Sequence, residues 1–196
     1  MESIPIEIHP LTPFLPSSSK VLMLGSFPPQ QKRWCINFYY PNFTNDMWRI
    51  LGLLFFGDKL IFVDQKNKTY YKDKIVDFLN EEGISIFDTA TSIRRLQDNA
   101  SDKFLEVVKP TNIKHLLNQI PLCEAIITTG EKATAIIQEQ LSINEAPKIG
   151  EFVTFNYKNR KLRLYRMPSS SRAYPQKLEK KADTYRIVFQ EYYKLK

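Results

Sequence analysis

Residues 20–51, KVLMLGSFPPQQKRWCINFYYPNFTNDMWRIL, contain the first predicted strand, turn and helix of the chain. Val21–Leu24 is a short, continuous apolar run, which is typical of a strand buried on both faces of a parallel sheet. The segment GSFPP at 25–29 ends it sharply, because two prolines cannot join a strand ladder and glycine permits a tight turn. Thr44 or Asn45 can then cap a helix whose apolar face carries Met47, Ile50, Leu51 and Leu54. Ligands of open α/β sheets bind beyond the carboxyl ends of the strands, so this turn is the first candidate site.

The rest of the chain alternates between predicted strands and helices. The strands are 83–87, 124–129, 152–157 and 161–166, and the helices are 72–82, 111–119, 129–141 and 177–193. This alternation predicts a three-layer α/β/α sandwich with a central, mostly parallel, four-stranded sheet. No repeat or change of composition marks a boundary, so residues 1–196 are expected to form one domain.

Two stretches lack a clear helical pattern. Residues 1–19 contain four prolines and are interpreted as an extended N-terminal arm with an edge segment at Ile4–Ile8. The second is a polar segment, interpreted as lacking regular structure. It follows Asp88-Thr89-Ala90-Thr91 and carries Arg94, Arg95 and Asn99.

Composition narrows the class of protein. A chain of 196 residues, 43% hydrophobic and 25% charged, is ordinary for a globular domain with its own core. No apolar run approaches the roughly 20 residues of a membrane span, and the N-terminus lacks a basic-then-apolar signal layout. A cytoplasmic protein that does not enter membranes is therefore expected. The net charge of +7 suits a polyanionic partner.

Neither a metal nor a cofactor is predicted. Cys35 and Cys123 are too few for a disulfide framework or an iron–sulfur cluster, and both are expected to be reduced thiols. His9 and His115 lie in unrelated contexts without metal-ligand spacing, and they are predicted to face solvent or to bond locally. No glycine-rich phosphate fingerprint is present.

Three segments carry a resemblance to a known family. The turn GSFPP at 25–29, Tyr39-Tyr40-Pro41, and NDMWRIL at 45–51 together resemble the uracil-DNA glycosylase superfamily, and most closely its hypoxanthine-DNA glycosylase and mismatch-specific branches. Members of these branches have a Gly-x-x-Pro turn after the first strand, then an aromatic residue, then Asn-x-x-Trp opening a helix. The common glycosylases place Asp or Asn before the turn proline to position the attacking water, whereas this chain has Phe27 there, as the hypoxanthine branch does.

A second motif, MPSSSR at 167–172, resembles the Pro-Ser segment that enters the DNA minor groove in these enzymes. Met167 occupies the position where uracil enzymes carry His or Asn. The resemblance implies that DNA is contacted by Pro168, Ser169, Ser170, Ser171, Arg172 and Tyr174. The alternative is a serine-rich linker between strand and helix. Nine basic residues crowd the surrounding stretch and are expected to contact phosphates: Lys158, Arg160, Lys161, Arg163, Arg166, Arg172, Lys177, Lys180 and Lys181.

The resemblance also implies a set of catalytic groups. With Phe27 and Met167 at the two usual catalytic positions, chemistry is expected to depend on Asn45, on Ser26 and on backbone amides of the 25–29 turn. The alternative for Asn45 is a helix N-cap.

Contacts to the base are expected from Phe27, Tyr40 and Asp88. Tyr40 would stack on the extruded base, or else would merely cover the core. An ionised Asp88 can accept a hydrogen bond but cannot donate one. It is therefore expected either to be protonated in the pocket or to sit to one side and order water or a backbone amide. The alternative is an N-cap for a helix starting near Thr89.

The function implied by the resemblance is that of a monofunctional DNA glycosylase in base excision repair. Such an enzyme flips a deaminated base, hypoxanthine or uracil, out of DNA and hydrolyses the glycosidic bond. Its partner is DNA that contains a damaged or deaminated base, and a monomer is expected. The alternatives are a DNA-binding member of the same fold that has lost the chemistry, and an unrelated small-nucleotide enzyme on a similar sheet.

Overall fold

The computed structural model describes residues 4–97 and 104–196. In chain order the strands and helices are β1 (Ile6–Ile8), β2 (Val21–Gly25), α1 (Met47–Phe56), β3 (Val63–Asp64), β4 (Thr69–Tyr70), α2 (Lys72–Glu82), β5 (Ile84–Asp88), β6 (Ala90–Arg95), β7 (Leu105–Pro110), α3 (Ile113–Gln119), β8 (Ala125–Thr129), α4 (Glu131–Leu141), β9 (Phe152–Tyr157), β10 (Arg160–Met167) and α5 (Leu178–Tyr192). A short 3₁₀ turn at Gln31–Arg33 follows the proline turn.

The central sheet has five strands in the order β5-β2-β8-β10-β9. The four strands β5, β2, β8 and β10 are parallel, and β9 pairs with β10 as an antiparallel edge strand. Every residue of β2, β5 and β8 is buried, which explains their continuous apolar sequences. The predicted, mostly parallel sheet is confirmed, but its predicted count of four strands is wrong, because the hairpin strand β9 extends the same sheet.

Helices cover both faces of this sheet. The connection from β2 to β5, which contains α1, runs in one direction across the sheet. The connection from β8 to β10, which contains α4, runs in the other direction. Because such crossovers are right-handed, α1 and α4 lie on opposite faces. Phe55 of α1 packs its ring against Phe78 of α2 and Phe189 of α5, which joins those three helices in one layer. On the other face, Gln140 of α4 accepts a hydrogen bond from Ile113 N at the start of α3. All the predicted helices are present, with ends that differ by at most a few residues.

A second sheet, in the order β1-β6-β7, lies beside the first and was not predicted. β6 directly follows β5 after one residue, Thr89. The expected polar segment without regular structure is therefore wrong for Arg94 and Arg95, which belong to β6. Arg94 pairs with Glu106 on the exposed face, whereas Arg95 turns inward and pairs with Glu7. Asn99 lies outside the described residues.

The N-terminal arm is held at two points. β1 pairs with β6, which confirms the edge segment predicted at Ile4–Ile8, although its partner is the second sheet. Further along, Phe14 forms a two-way backbone bridge with Ile86 of β5, with N–O distances of 3.0 and 2.9 Å. The arm therefore contacts both the second sheet and the central sheet, on either side of the junction between β5 and β6 where Asp88 lies.

Two general features follow from the described residues. None of their helices is both long and apolar enough to cross a membrane. Within the same ranges, no three His, Cys, Asp or Glu side chains group in a way that could hold a metal ion.

Candidate active site

A pocket opens at the carboxyl edge of the central sheet. Its wall combines the ends of three parallel strands with the loop before α1 and the loop after β10: Gly25–Pro29, Tyr39–Asn42, Thr44, Asn45, Asp88, Arg95, Leu105, Thr129 and Ser169–Arg172. The structure thus brings together Ser26, Phe27, Tyr40, Asn45 and Asp88 with the serine segment. Pro168 and Tyr174, the other two predicted DNA contacts, lie outside this wall.

The proline turn is fixed by the corner between the two sheets. Thr89 N donates to Gly25 O at 2.9 Å, and Ala90 N donates to Ser26 O at 3.2 Å. The guanidinium of Arg95, whose side chain is 4% exposed, donates to Pro28 O at 3.1 Å. Sequence analysis missed this role of Arg95, because the strand that carries it was not recognised.

Gly25 leaves space for the carboxylate beside it. A Cβ at this position would overlap Asp88 Oδ1. The glycine that ends β2 therefore makes room for a side chain from the adjacent strand β5, in addition to forming the turn.

Asn45 caps the helix and also lines the pocket, whereas its catalytic role stays a prediction. Its Oδ1 accepts a hydrogen bond from Met47 N at 2.9 Å, so the side chain caps the first turn of α1 although Asp46 is the formal N-cap residue. The same side chain lies half-buried on the pocket wall. Because Oδ1 is used by the helix, the amide nitrogen is the group left to face a substrate. Thr44 does not cap the helix, since its hydroxyl donates to Asn42 Oδ1.

Tyr40 and Tyr39 have different roles. Tyr39 is 3% exposed and donates its hydroxyl to Thr12 O at 2.7 Å, so it belongs to the core. Tyr40 is half-buried and adopts φ 47°, an uncommon value for a bulky residue that costs about 1–3 kcal/mol. Its ring meets Trp48 edge to face at 5.8 Å, and its buried hydroxyl lies near Thr129. Burial raises the pKa of the Tyr40 hydroxyl, which stays neutral.

Asp88 ends β5 and does not cap a helix. β6 follows directly, so the alternative of a helix starting near Thr89 is wrong. The Asp88 carboxylate accepts a hydrogen bond from His9 Nε2, with 2.9 Å between Nε2 and Oδ2. The predicted local bonding of His9 is confirmed by its contact with Leu11. Its side chain does not face solvent, since it is 3% exposed, and it also bonds Asp88, 79 residues away. No sequence signal links two residues so far apart.

The loop after β10, which we call the serine loop (residues 168–176), is anchored to two helices. Asp46 N at the start of α1 donates to Ser170 O at 2.9 Å. Lys181 of α5 donates to Ser171 O at 2.7 Å. Tyr185 of the same helix donates its hydroxyl to Pro168 O at 2.9 Å. Unlike a free linker, the loop is thus held against the pocket.

Hydroxyl groups within the serine loop are partly engaged in local turns. Ser169 Oγ accepts from Ser171 N at 3.2 Å, and Ser171 Oγ accepts from Ala173 N at 3.3 Å. Each hydroxyl still has a proton to donate. Arg172, with a side chain 57% exposed, reaches Asp46 at 3.4 Å on the rim of the pocket. Met167, just before the loop, is fully buried in β10.

The predicted basic surface is smaller than the sequence suggested. Lys181 is fully buried, so it cannot contact phosphates. Arg160 lies at the start of β10, away from the pocket, where its guanidinium bonds the carbonyl oxygens of Leu117 and Ile120 at the end of α3. The exposed cations near the serine loop are Arg172, Lys177 and Lys180.

Comparison with known proteins supports the fold. No family model matches the chain, and no curated protein matches it in sequence. Among solved structures, it is similar to the solution NMR structure of a "putative Uracil DNA glycosylase" from Methanosarcina acetivorans, with a TM-score of 0.64 and 20% sequence identity. The match covers 95% of this chain and 98% of that one. The two proteins thus share a mixed α/β fold over nearly their full lengths.

Proposed function

We propose that this protein is a monofunctional DNA glycosylase that excises a deaminated base, hypoxanthine or uracil, in base excision repair. The observation that carries the proposal is the junction of pocket and serine loop, made by the bond from Asp46 N to Ser170 O. A base in the pocket and the phosphates beside it can then be bound by one rigid unit. The fold shared with the Methanosarcina protein and the net charge of +7 support the same function.

In this proposal the extruded base lies between aromatic and polar walls. Tyr40 stacks on the base, because any base presents a π-face to an aromatic ring. Phe27 supplies an apolar wall, and Asp88 faces the sugar and base from the end of β5. The GSFP turn and the absence of an Asp before the turn proline favour the hypoxanthine branch of the superfamily.

The serine loop is proposed to hold the DNA backbone. The hydroxyl groups of Ser169 and Ser171 donate to phosphates that flank the flipped nucleotide, and the exposed guanidinium of Arg172 adds charge. Ser170, which is 3% exposed, contacts the DNA from the pocket wall. Pro168 shapes the start of the loop. Tyr174 fills the space that the flipped base leaves in the stack. The protein is proposed to act as a monomer.

Chemistry is proposed to depend on Asn45 and Ser26. The Asn45 amide nitrogen donates to water or to the sugar, and Ser26 and the turn amides stabilise negative charge on the departing base. Only residues 25–27 of the turn can donate a backbone N–H, since Pro28 and Pro29 have none. The described part of the pocket wall carries no lysine. A Schiff-base step is therefore not part of the proposal.

A DNA-binding protein without catalysis is the second candidate function. Phe27 and the buried Met167 stand where related enzymes place their catalytic side chains, and this favours it. Such a protein would bind a lesion and leave the glycosidic bond intact.

Single-turnover cleavage assays distinguish the two candidates. Fluorescent duplexes and single strands with one hypoxanthine or one uracil are incubated with excess protein and then treated with alkali, which breaks abasic sites. Base release from at least one lesion is expected, with Asn45→Ala as the slow control. Intact bonds on all substrates at stoichiometric protein would overturn the enzymatic proposal, and tight lesion binding in that case would establish the second candidate.

A further inference from the structure

Asp88 is the only carboxylate on the described part of the pocket wall. Two other acids lie close by, but their oxygens are committed. Asp46 pairs with Lys181 and Arg172 through separate oxygens. Glu7 uses both of its oxygens on Arg95, each at 3.0 Å. Of these three acids, Asp88 is the one that lines the described pocket wall, and only one of its oxygens is in an ion pair with a described residue.

The two oxygens of Asp88 have different surroundings. Oδ2 accepts the hydrogen bond from His9 Nε2 at 2.9 Å. Oδ1 has no hydrogen-bond partner among the described residues, and it lies over Gly25, where only the absence of a Cβ admits it. One oxygen is therefore anchored, and the other is open on the pocket side.

His9 is built to donate to this carboxylate in either of its charge states. Its Nδ1 lies 3.0 Å from Leu11 O and 3.1 Å from Leu11 N. When the ring is neutral and carries its proton on Nε2, Nδ1 accepts a hydrogen bond from Leu11 N. When the ring is charged, Nδ1 also carries a proton and donates it to Leu11 O. Nε2 carries a proton in both states and can donate to Asp88. The ring is also held by Phe27 and Phe87, with centroids at 5.1 and 4.7 Å.

The neighbouring phenols cannot act as bases in place of Asp88. Burial and the negative charge of Asp88 raise the pKa of both Tyr39 and Tyr40. Their hydroxyl groups therefore stay protonated through the neutral range, and the ionisable acceptor that remains on the wall is the carboxylate.

We propose that Asp88 is the base that activates the hydrolytic water and that His9 is the positioning residue that orients it, an inference that rests on the proposed function. Water oxygen bonds to C1′ of the deoxyribose as the C1′–N bond breaks, and the bonding electron pair leaves with the base. Asp88 Oδ1 accepts one water proton and later releases it to solvent. The departing base gains a proton from solvent, so the products are an abasic sugar and the free base.

This assignment accounts for the residue missing from the turn. Phe27 stands where the common glycosylases carry the Asp or Asn that positions the attacking water, and Asp88 supplies a carboxylate from the adjacent strand. An ionised Asp88 also stabilises cationic character on the sugar. The hydrogen bond from His9 offsets the repulsion between this carboxylate and the departing base. In this proposal Asp88 is ionised and orders water, which is one of the alternatives that the sequence left open.

Single-turnover excision by four variants tests the dyad. Asp88→Asn is expected to lower the rate about 10²- to 10⁴-fold, the usual contribution of a general base, with unchanged affinity for lesion DNA. His9→Ala is expected to lower it about 10- to 100-fold, as loss of an orienting partner does. His9→Gln restores a side-chain N–H toward Oδ2 and should recover part of that rate. His115→Ala, at an exposed histidine on α3, is the matched control and should keep the full rate.

Chemical rescue separates catalysis from folding. Asp88→Ala leaves a space beside Gly25, and added formate is expected to raise its rate in proportion to concentration, since the anion replaces the lost acceptor. A wild type that excises the base while Asp88→Asn is equally fast would overturn the dyad and leave the proposed function standing. A wild type that excises nothing would overturn the function itself. If His9→Gln folds and is as slow as His9→Ala, His9 does not position Asp88.

Discussion

Lys181 and Asp46 form an ion pair inside the protein, with 3.0 Å between Nζ and Oδ2. The Lys181 side chain is 0% exposed and that of Asp46 is 7% exposed. Nζ also donates to Ser171 O, and the residue before Asp46 is Asn45, on the pocket wall. The pair therefore couples the position of the serine loop to that of the helix start that carries the candidate catalytic amide.

Removing the lysine should destabilise the protein strongly. Lys181→Met leaves the Asp46 carboxylate buried with only the rim residue Arg172 as a partner, and the free energy of unfolding is expected to fall by about 3–5 kcal/mol. Urea denaturation measures the change. The double variant Lys181→Met/Asp46→Leu should regain most of the loss, because no buried charge remains. A loss below about 1 kcal/mol for the single variant would show that the pair is solvated.

Two variants at Asn45 separate its cap from its proposed catalytic role. Asn45→Ala removes both the Oδ1 cap and the amide donor, so it should lose about 1 kcal/mol of stability and more than tenfold in excision rate. Asn45→Asp keeps an acceptor for Met47 N but has no side-chain donor. It should retain wild-type stability and still be slow. Melting temperature and single-turnover rate are measured on the same preparations, and a fast Asn45→Asp variant would show that Asn45 is only a cap.

DNA affinity should fall with salt concentration, with a slope that corresponds to only a few neutralised phosphates. The exposed cations beside the serine loop are Arg172, Lys177 and Lys180, so about three phosphates are expected to be neutralised and log K against log salt should slope by about −2 to −3. Arg172→Ala should weaken binding to all sequences alike and reduce the slope by about one. Lys20→Ala, at an exposed lysine directly before β2 and at the opposite end of that strand from the pocket, is the control and should change neither quantity. A flat salt dependence would exclude this surface as the DNA-binding face.

Cys123 should resist alkylation in the folded protein. The residue is 2% exposed, and burial raises the pKa of its thiol to about 12. Folded Cys35→Ser protein, which keeps Cys123, should react slowly with iodoacetamide at pH 8, whereas the same protein in urea should react fully. Because burial favours the neutral thiol, the raised pKa contributes to the stability of the folded protein. This contribution is complete at pH values below the unfolded pKa of about 8.5, and it is lost as the pH rises toward the folded pKa of about 12. Rapid labelling without denaturant would contradict the burial.

The local sequence pattern was sufficient to predict the strands that are buried on both faces. The continuous apolar runs of β2, β5 and β8 predicted their strands because a strand between two helical layers has no polar face to show. Gly83 predicted the end of α2, which it caps with φ 68°. β6 was missed for the opposite reason, since Arg95 is buried by pairing with Glu7, 88 residues away, and its charge conceals the strand pattern.

The fold class, the proline turn and the serine loop could be predicted from sequence alone, because each is specified by neighbouring residues. Which side chains of the candidate site lie together follows only from the tertiary packing. His9 meets Asp88 across 79 residues, and Lys181 meets Asp46 across 135. Such pairs depend on where the arm contacts the two sheets and where α5 packs on α1. Local propensity carries no information about these distances, since they are set by the burial of apolar surface over the whole domain.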